Sequence, residues 1–71
     1  MKYTVIIEKG DSSFGAFVPD LPGCIAVGES KEEALKLIKE AIEFHLEGLR
    51  EEGTNIPLPH CDIAQVEINV A

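Results

Sequence analysis

The chain has 71 residues, with 6 Lys and Arg against 13 Asp and Glu, which gives a formal net charge of -7. A chain of this length forms one small domain, 1–71, that buries only about 60% of its unfolded surface, so we expect it to gain stability by self-association. An acidic surface repels phosphate backbones, which argues against direct DNA or RNA binding. No apolar run approaches the roughly 18 residues of a membrane span and no secretion signal precedes the first strand, so we expect a cytoplasmic protein.

The first half of the chain predicts three strands. Residues 2–9 are rich in β-branched side chains, and residues 14–18 follow after a short polar turn, so the two segments form an antiparallel hairpin. A turn bracketed by Pro19 and Pro22 comes next, with Gly23 suited to a positive φ. The apolar run 24–27 then predicts a short third strand that is buried on both faces and ends near residue 28.

A long amphipathic helix is predicted over residues 31–52. Ser30 and Glu33 form a capping box in which each side chain satisfies a backbone N–H of the other residue, and Gly53 is the expected C′ residue. Leu37 and Phe44 widen the apolar arc beyond what one sheet face needs. That excess predicts a second packing surface, either for the C-terminal loop or for another subunit, and makes these two residues candidates for an oligomer interface.

The remainder of the chain predicts an extended connector and one more strand. Pro57 and Pro59 prevent a helix over residues 54–62, whereas residues 64–70 alternate between apolar and polar side chains. The order β-β-β-α-β predicts an α+β fold in which one long helix packs on a face of an antiparallel sheet.

No residue pattern predicts catalysis, a cofactor or a metal. His60, Cys61 and Asp62, together with Cys24, superficially resemble metal ligands, but consecutive residues of an extended loop point to alternate sides and should not converge on one ion. His45 lies on the apolar face of the helix, where a packed core or interface residue is expected. Two cysteines are too few for a disulfide framework, so free thiols in a reducing compartment are expected.

Several motifs, in the right order along nearly the whole chain, resemble those of the HicB antitoxin family. They are Phe17-Val-Pro-Asp-Leu-Pro-Gly-Cys24, Gly28-Glu-Ser30, Glu32-Glu-Ala-Leu35, the helical segment from Glu40 to Leu49, Gly53, and Ile56-Pro-Leu-Pro59. The resemblance implies a fold like a partial, degenerate ribonuclease H. It also implies that the chain neutralises HicA, a small basic ribonuclease that cleaves mRNA.

The resemblance leaves two functions open. One is an antitoxin that binds a HicA-like toxin, and the other is a stand-alone, self-associating binding protein, a dimer or tetramer without a toxin partner. A nuclease is disfavoured because the metal-binding carboxylates of ribonuclease H have no evident counterpart beyond Glu8. Full-length HicB antitoxins add a C-terminal operator-binding module, which the sequence up to Ala71 lacks, so no direct DNA binding is expected from this chain alone.

The expected contact surface for the toxin lies around the proline turn. Asp20 and Glu29 are the candidate acidic residues for a basic partner, and Leu21 is the candidate apolar anchor. Structural roles remain open for both acids, since Asp20 can stabilise the turn and Glu29 can complement the helix dipole.

Overall fold

Residues 1–70, which the computed structural model describes, form three strands and one helix. The strands are β1 (Ile6–Lys9), β2 (Phe14–Phe17) and β3 (Ile25–Gly28), and the helix α1 spans Lys31–Glu51. The sheet is antiparallel in the order β1-β2-β3. Ile7 pairs with Ala16, and Ala16 pairs in turn with Ala26. The predicted α+β architecture is confirmed. No helix within these residues combines the length and apolar character needed to cross a membrane.

The core lies between the helix and one face of the sheet. Its buried members come from β2, from the proline turn and from the first turns of α1: Ala16, Val18, Leu21, Cys24, Ala34 and Ile38. From Ala41 onward, the apolar side of the helix is only half-buried, and Leu35 is exposed. The N-terminal half of the helix therefore makes the tight contact with the sheet.

Gly28 allows the helix to approach β3 closely. A Cβ at this position would lie 2.7 Å from the backbone nitrogen of Ala34, a distance shorter than side-chain carbons tolerate. The helix begins immediately after it, with the Ser30 hydroxyl accepting the N–H of Glu33 at 3.1 Å. The Glu33 carboxylate accepts the N–H of Glu29 rather than that of Ser30, because its long side chain reaches one residue further back than the capping box predicts.

The predicted positive φ values of the glycines at the end of the turn and after the helix are confirmed. Gly23 has a φ of 84° in the proline turn, and Gly53 has a φ of 71° after the helix. The N–H of Gly53 donates to the carbonyl of Arg50, and that of Thr54 donates to Leu49. These bonds satisfy carbonyl groups of the last helical turn.

Two predictions about the strands are wrong. Ile25 and Val27 are exposed, so β3 is buried on one face only, because nothing among the described residues covers the outer side of the sheet. Residues 64–70 form no strand in this part of the chain and lie exposed, although their alternating pattern suits one. A strand requires a neighbouring edge for its N–H and C=O groups, and this segment lies against none within residues 1–70.

Candidate functional site

The proline turn is a rigid, hydrogen-bonded unit at the end of β2. The N–H of Leu21 donates to the carbonyl of Val18, and the N–H of Cys24 donates to that of Leu21. The N–H of Val18 donates to the carbonyl of Cys24, which joins the two ends of the turn. Pro19 fixes the backbone at the start of the turn. This arrangement directs the side chains of Asp20 and Leu21 inward.

Asp20 is the centre of a polar cluster that joins the turn to the connector after the helix. It is only 3% exposed, and its Oδ2 atom accepts the backbone N–H groups of His60 at 3.2 Å and Cys61 at 3.3 Å. The connector is also held by Tyr3, whose hydroxyl donates to the carbonyl of Pro57, and by Thr4, whose hydroxyl donates to that of Cys61. The chain therefore bends around the Asp20 carboxylate.

The other carboxylate oxygen faces the ring of His60. Oδ1 of Asp20 lies 2.8 Å from Nδ1 of His60, although the two groups are not aligned as a hydrogen bond and Oδ1 has no such partner among the described residues. Hydrogen bonding from the Cys61 side chain, helped by the two backbone N–H groups and the His60 ring, lowers the pKa of Asp20 despite its burial. The same hydrogen bond raises the pKa of Cys61.

This cluster corrects one premise of the sequence-based interpretation, the divergence of His60 and Cys61, although the full set of His60, Cys61, Asp62 and Cys24 does not converge. A ring nitrogen of His60, the thiol of Cys61 and a carboxylate oxygen of Asp20 all lie within 4.8 Å of one another. The expected divergence of consecutive side chains does not occur, because both backbone N–H groups turn toward one buried carboxylate. Neither Asp62 nor Cys24 belongs to this group of described residues, and burial raises the pKa of the Cys24 thiol.

The candidate contact residues separate into buried and exposed ones. Asp20 and Leu21, expected on the surface, are buried, because the turn folds back onto the helix and the connector. Glu29 is exposed, as expected. No feature near Asp20 in the sequence could reveal its burial, since its partners lie 40 and 41 residues away.

The two candidate interface residues of the helix are both exposed. Phe44 is 80% exposed and Leu37 is 37% exposed. Phe44 and His45 line a groove of about 450 Å³ between the second half of α1 and the residues around Cys24 and Ile25. The groove therefore joins the second half of the helix to Ile25 at the start of β3.

The family is shown by the sequence. Residues 3–70 match the family described as the HicB-like antitoxin of bacterial toxin-antitoxin systems. The chain belongs to this family. A UPF0150 protein of Helicobacter pylori is 43% identical over 72 residues and covers 100% of both chains. An uncharacterised protein of Haemophilus phage HP1 is 42% identical over 57 residues, which are 80% of this chain but only 43% of the phage protein.

Two solved structures share the fold. The N-terminal domain of the Burkholderia pseudomallei antitoxin HicB is 36% identical with a TM-score of 0.77, and the match covers 89% of this chain and 74% of that one. A chain from a HicA3 and HicB3 toxin-antitoxin complex is 33% identical with a TM-score of 0.71, over 84% of this HicB-like chain and 70% of that one. The three strands and long helix described above therefore match those of a HicB N-terminal domain.

Proposed function

We propose that this chain is an antitoxin that binds and neutralises a small, basic, mRNA-cleaving toxin of the HicA type. The observation that carries the proposal is the likeness, at a TM-score of 0.71 and 33% identity, to a chain of a HicA3 and HicB3 toxin-antitoxin complex. A second support is electrostatic. A protein with a net charge of -7 attracts a basic toxin and can occupy the surface that the toxin offers to RNA.

The acidic contact begins at the N-terminus of α1. Glu29 and Glu32 are exposed and lie within one turn of each other around the helix start. Glu33 is also exposed, but its carboxylate already accepts the Glu29 N–H, so the carboxylates of Glu29 and Glu32 are the ones free to meet basic side chains. We propose this surface in place of the one around Asp20 and Leu21, because both of those residues are buried.

The test compares two double charge reversals that change the net charge equally. Glu29→Lys with Glu32→Lys is expected to weaken binding of the purified HicA-type toxin by about tenfold or more and to restore its cleavage of RNA. Glu51→Lys with Glu52→Lys reverses two exposed charges at the other end of a 21-residue helix, about 30 Å away. If both variants bound the toxin equally weakly, the overall net charge would drive binding, and the N-terminus of α1 would not be a defined contact surface.

A second candidate, self-association, is favoured by the exposed apolar surface. Leu37 and Phe44 are seven residues apart on α1 and therefore point to the same side of the helix. Ile25 extends this surface to β3, which lies at an edge of the described sheet. The exposed, alternating residues 64–70 suit a strand that pairs with the sheet edge of another copy. We propose a homodimer or tetramer held by these elements.

Sedimentation velocity of the purified chain tests this second candidate. Phe44→Glu is expected to shift the protein toward monomer if the helix surface carries the contact, and deletion of residues 64–71 is expected to do so if strand pairing carries it. Glu43→Gln, a neighbouring exposed position, is the control that should leave the mass unchanged. A wild-type protein that stays monomeric at all concentrations would contradict self-association.

We also propose that residues 1–71 act as one binding domain without catalysis and without direct DNA binding. Glu8 is exposed near the end of β1, and Asp20 is engaged by the connector, so the two do not resemble a paired acid and base. The acidic balance disfavours contact with phosphates. A purified chain that cleaved RNA in the absence of any toxin would contradict this proposal.

A further inference from the structure

The Asp20 cluster brings together three kinds of metal ligand from two distant segments. Asp20 belongs to the proline turn, and His60 and Cys61 belong to the connector after the helix. Their ligand atoms lie within 4.8 Å of one another, close enough to surround one ion after small side-chain rotations. Typical zinc sites place such atoms about 2.0–2.3 Å from the metal, which separates the ligands from each other by less than 4 Å.

The buried oxygen of Asp20 points independently to a ligand. Oδ1 has no hydrogen-bond partner within residues 1–70, and a buried carboxylate oxygen without one is costly. It lies 2.8 Å from Nδ1 of His60 but off the line that an N–H···O bond requires. Nδ1 of His60 also lies 3.3 Å from the carbonyl oxygen of Leu58, an acceptor to which it donates in the metal-free chain. When Nδ1 gives up this proton, its lone pair and Oδ1 of Asp20 can share a cation.

We propose that Asp20, His60 and Cys61 bind one Zn²⁺ ion, with solvent water in the fourth position. The donor set of thiolate, imidazole and carboxylate is the one that zinc prefers, whereas Mg²⁺ and Ca²⁺ prefer oxygen alone. The His60 side chain is 75% exposed, so the ion can reach the site from solvent. This site goes beyond the proposed toxin binding and does not depend on it.

Charge and proton balance are consistent with this ion. The Cys61 thiol loses its proton to solvent when its sulfur binds the metal, and His60 binds as neutral imidazole. One carboxylate and one thiolate then neutralise the two positive charges of Zn²⁺. The carboxylate keeps its bonds to the backbone N–H groups of His60 and Cys61 through Oδ2, which hold the ligands in place.

The ion would join the connector to the turn, so its binding should stabilise the fold. Because the ligands come together only in the folded chain, bound Zn²⁺ raises the melting temperature in proportion to the logarithm of its free concentration. A structural role for the three side chains alone would give no such dependence on metal.

The test titrates the reduced chain of residues 1–71 with Co²⁺ alone and then displaces the bound Co²⁺ with Zn²⁺. We expect one ion per chain and a thiolate-to-cobalt charge-transfer band that Zn²⁺ removes. Cys61→Ser should abolish the charge-transfer band and lower the affinity for Co²⁺ at least about tenfold. Cys24→Ala, which removes the other thiol, should keep the band and the wild-type affinity. His60→Gln should weaken binding, while the matched His45→Gln should not.

The result that overturns the proposal is equally specific. The proposal is wrong if no charge-transfer band appears at stoichiometric Co²⁺, or if the band depends on Cys24. It is also wrong if Cys61→Ser and wild type bind Co²⁺ with equal affinity. Circular dichroism of every variant confirms that it is folded. Cys61 and His60 lie outside the buried core, so their substitution leaves the packing of the helix on the sheet intact.

Discussion

The close approach of the helix to β3 can be tested with two Gly→Ala substitutions of opposite expected sign. At Gly28, the added Cβ would lie 2.7 Å from the nitrogen of Ala34 and 3.1 Å from the backbone carbon of Glu33. These are backbone atoms of the first helical turn, so the whole turn must move by several tenths of an ångström. Overpacking of this kind costs about 1–3 kcal/mol.

The control is Gly48, which lies inside the same helix. An added Cβ there meets no atom of the described residues within 4 Å, and Ala favours a helix over Gly by about 0.8–1 kcal/mol. We therefore expect Gly28→Ala to lower the free energy of unfolding and Gly48→Ala to raise it. Each kcal/mol corresponds to about 4–8 °C in the melting temperature of a domain of this size.

Urea unfolding monitored by circular dichroism measures both changes. Wild type and the two variants are compared at one protein concentration, so that any self-association affects them alike. A Gly28→Ala variant as stable as the wild type, with the same dependence on urea, would refute the tight contact between β3 and α1. Destabilisation by Gly48→Ala as well would indicate that the second half of the helix is packed against something outside this chain.

Three further changes have defined outcomes. Leu21→Ala should lower the free energy of unfolding in urea by about 2–5 kcal/mol because the side chain is fully buried, whereas the exposed Phe44→Ala should change it by less than about 0.5 kcal/mol. If Leu21→Ala left stability unchanged but weakened toxin binding, Leu21 would instead be an apolar contact residue on the surface. Ser30→Ala should cost about 1 kcal/mol through loss of the helix cap, and an unaltered unfolding curve would contradict that cap. In Cys61→Ser, the buried Cys24 should react with a thiol reagent far more slowly than in denaturant, and equal rates by mass spectrometry would contradict its burial.

The features that the sequence predicts correctly depend on residues a few positions apart. The helix cap at Ser30 and the positive φ values of Gly23 and Gly53 are each determined by local backbone geometry. The antiparallel hairpin follows in the same way from a short turn between two β-rich segments. Such features require no knowledge of what lies opposite them in space.

The features that it predicts wrongly depend on distant or external partners. Asp20 is read as a surface acid because its neighbours are turn residues, whereas its burial comes from N–H groups 40 and 41 positions later. The alternation of residues 64–70 specifies a strand but does not specify the edge that would pair with it. The same holds for β3, whose apolar composition predicts burial without indicating which face is covered.

The bonds between Asp20 and the connector have a consequence for the lifetime of the folded chain. They close a loop of about 40 residues, whereas the strand pairs and the helix join near neighbours and can form earlier. Contacts made late in folding mainly slow unfolding and leave the folding rate unchanged. The bonds between Asp20 and the connector should therefore determine how quickly the connector detaches from the turn. Proteases should then cleave first within the exposed residues 62–70.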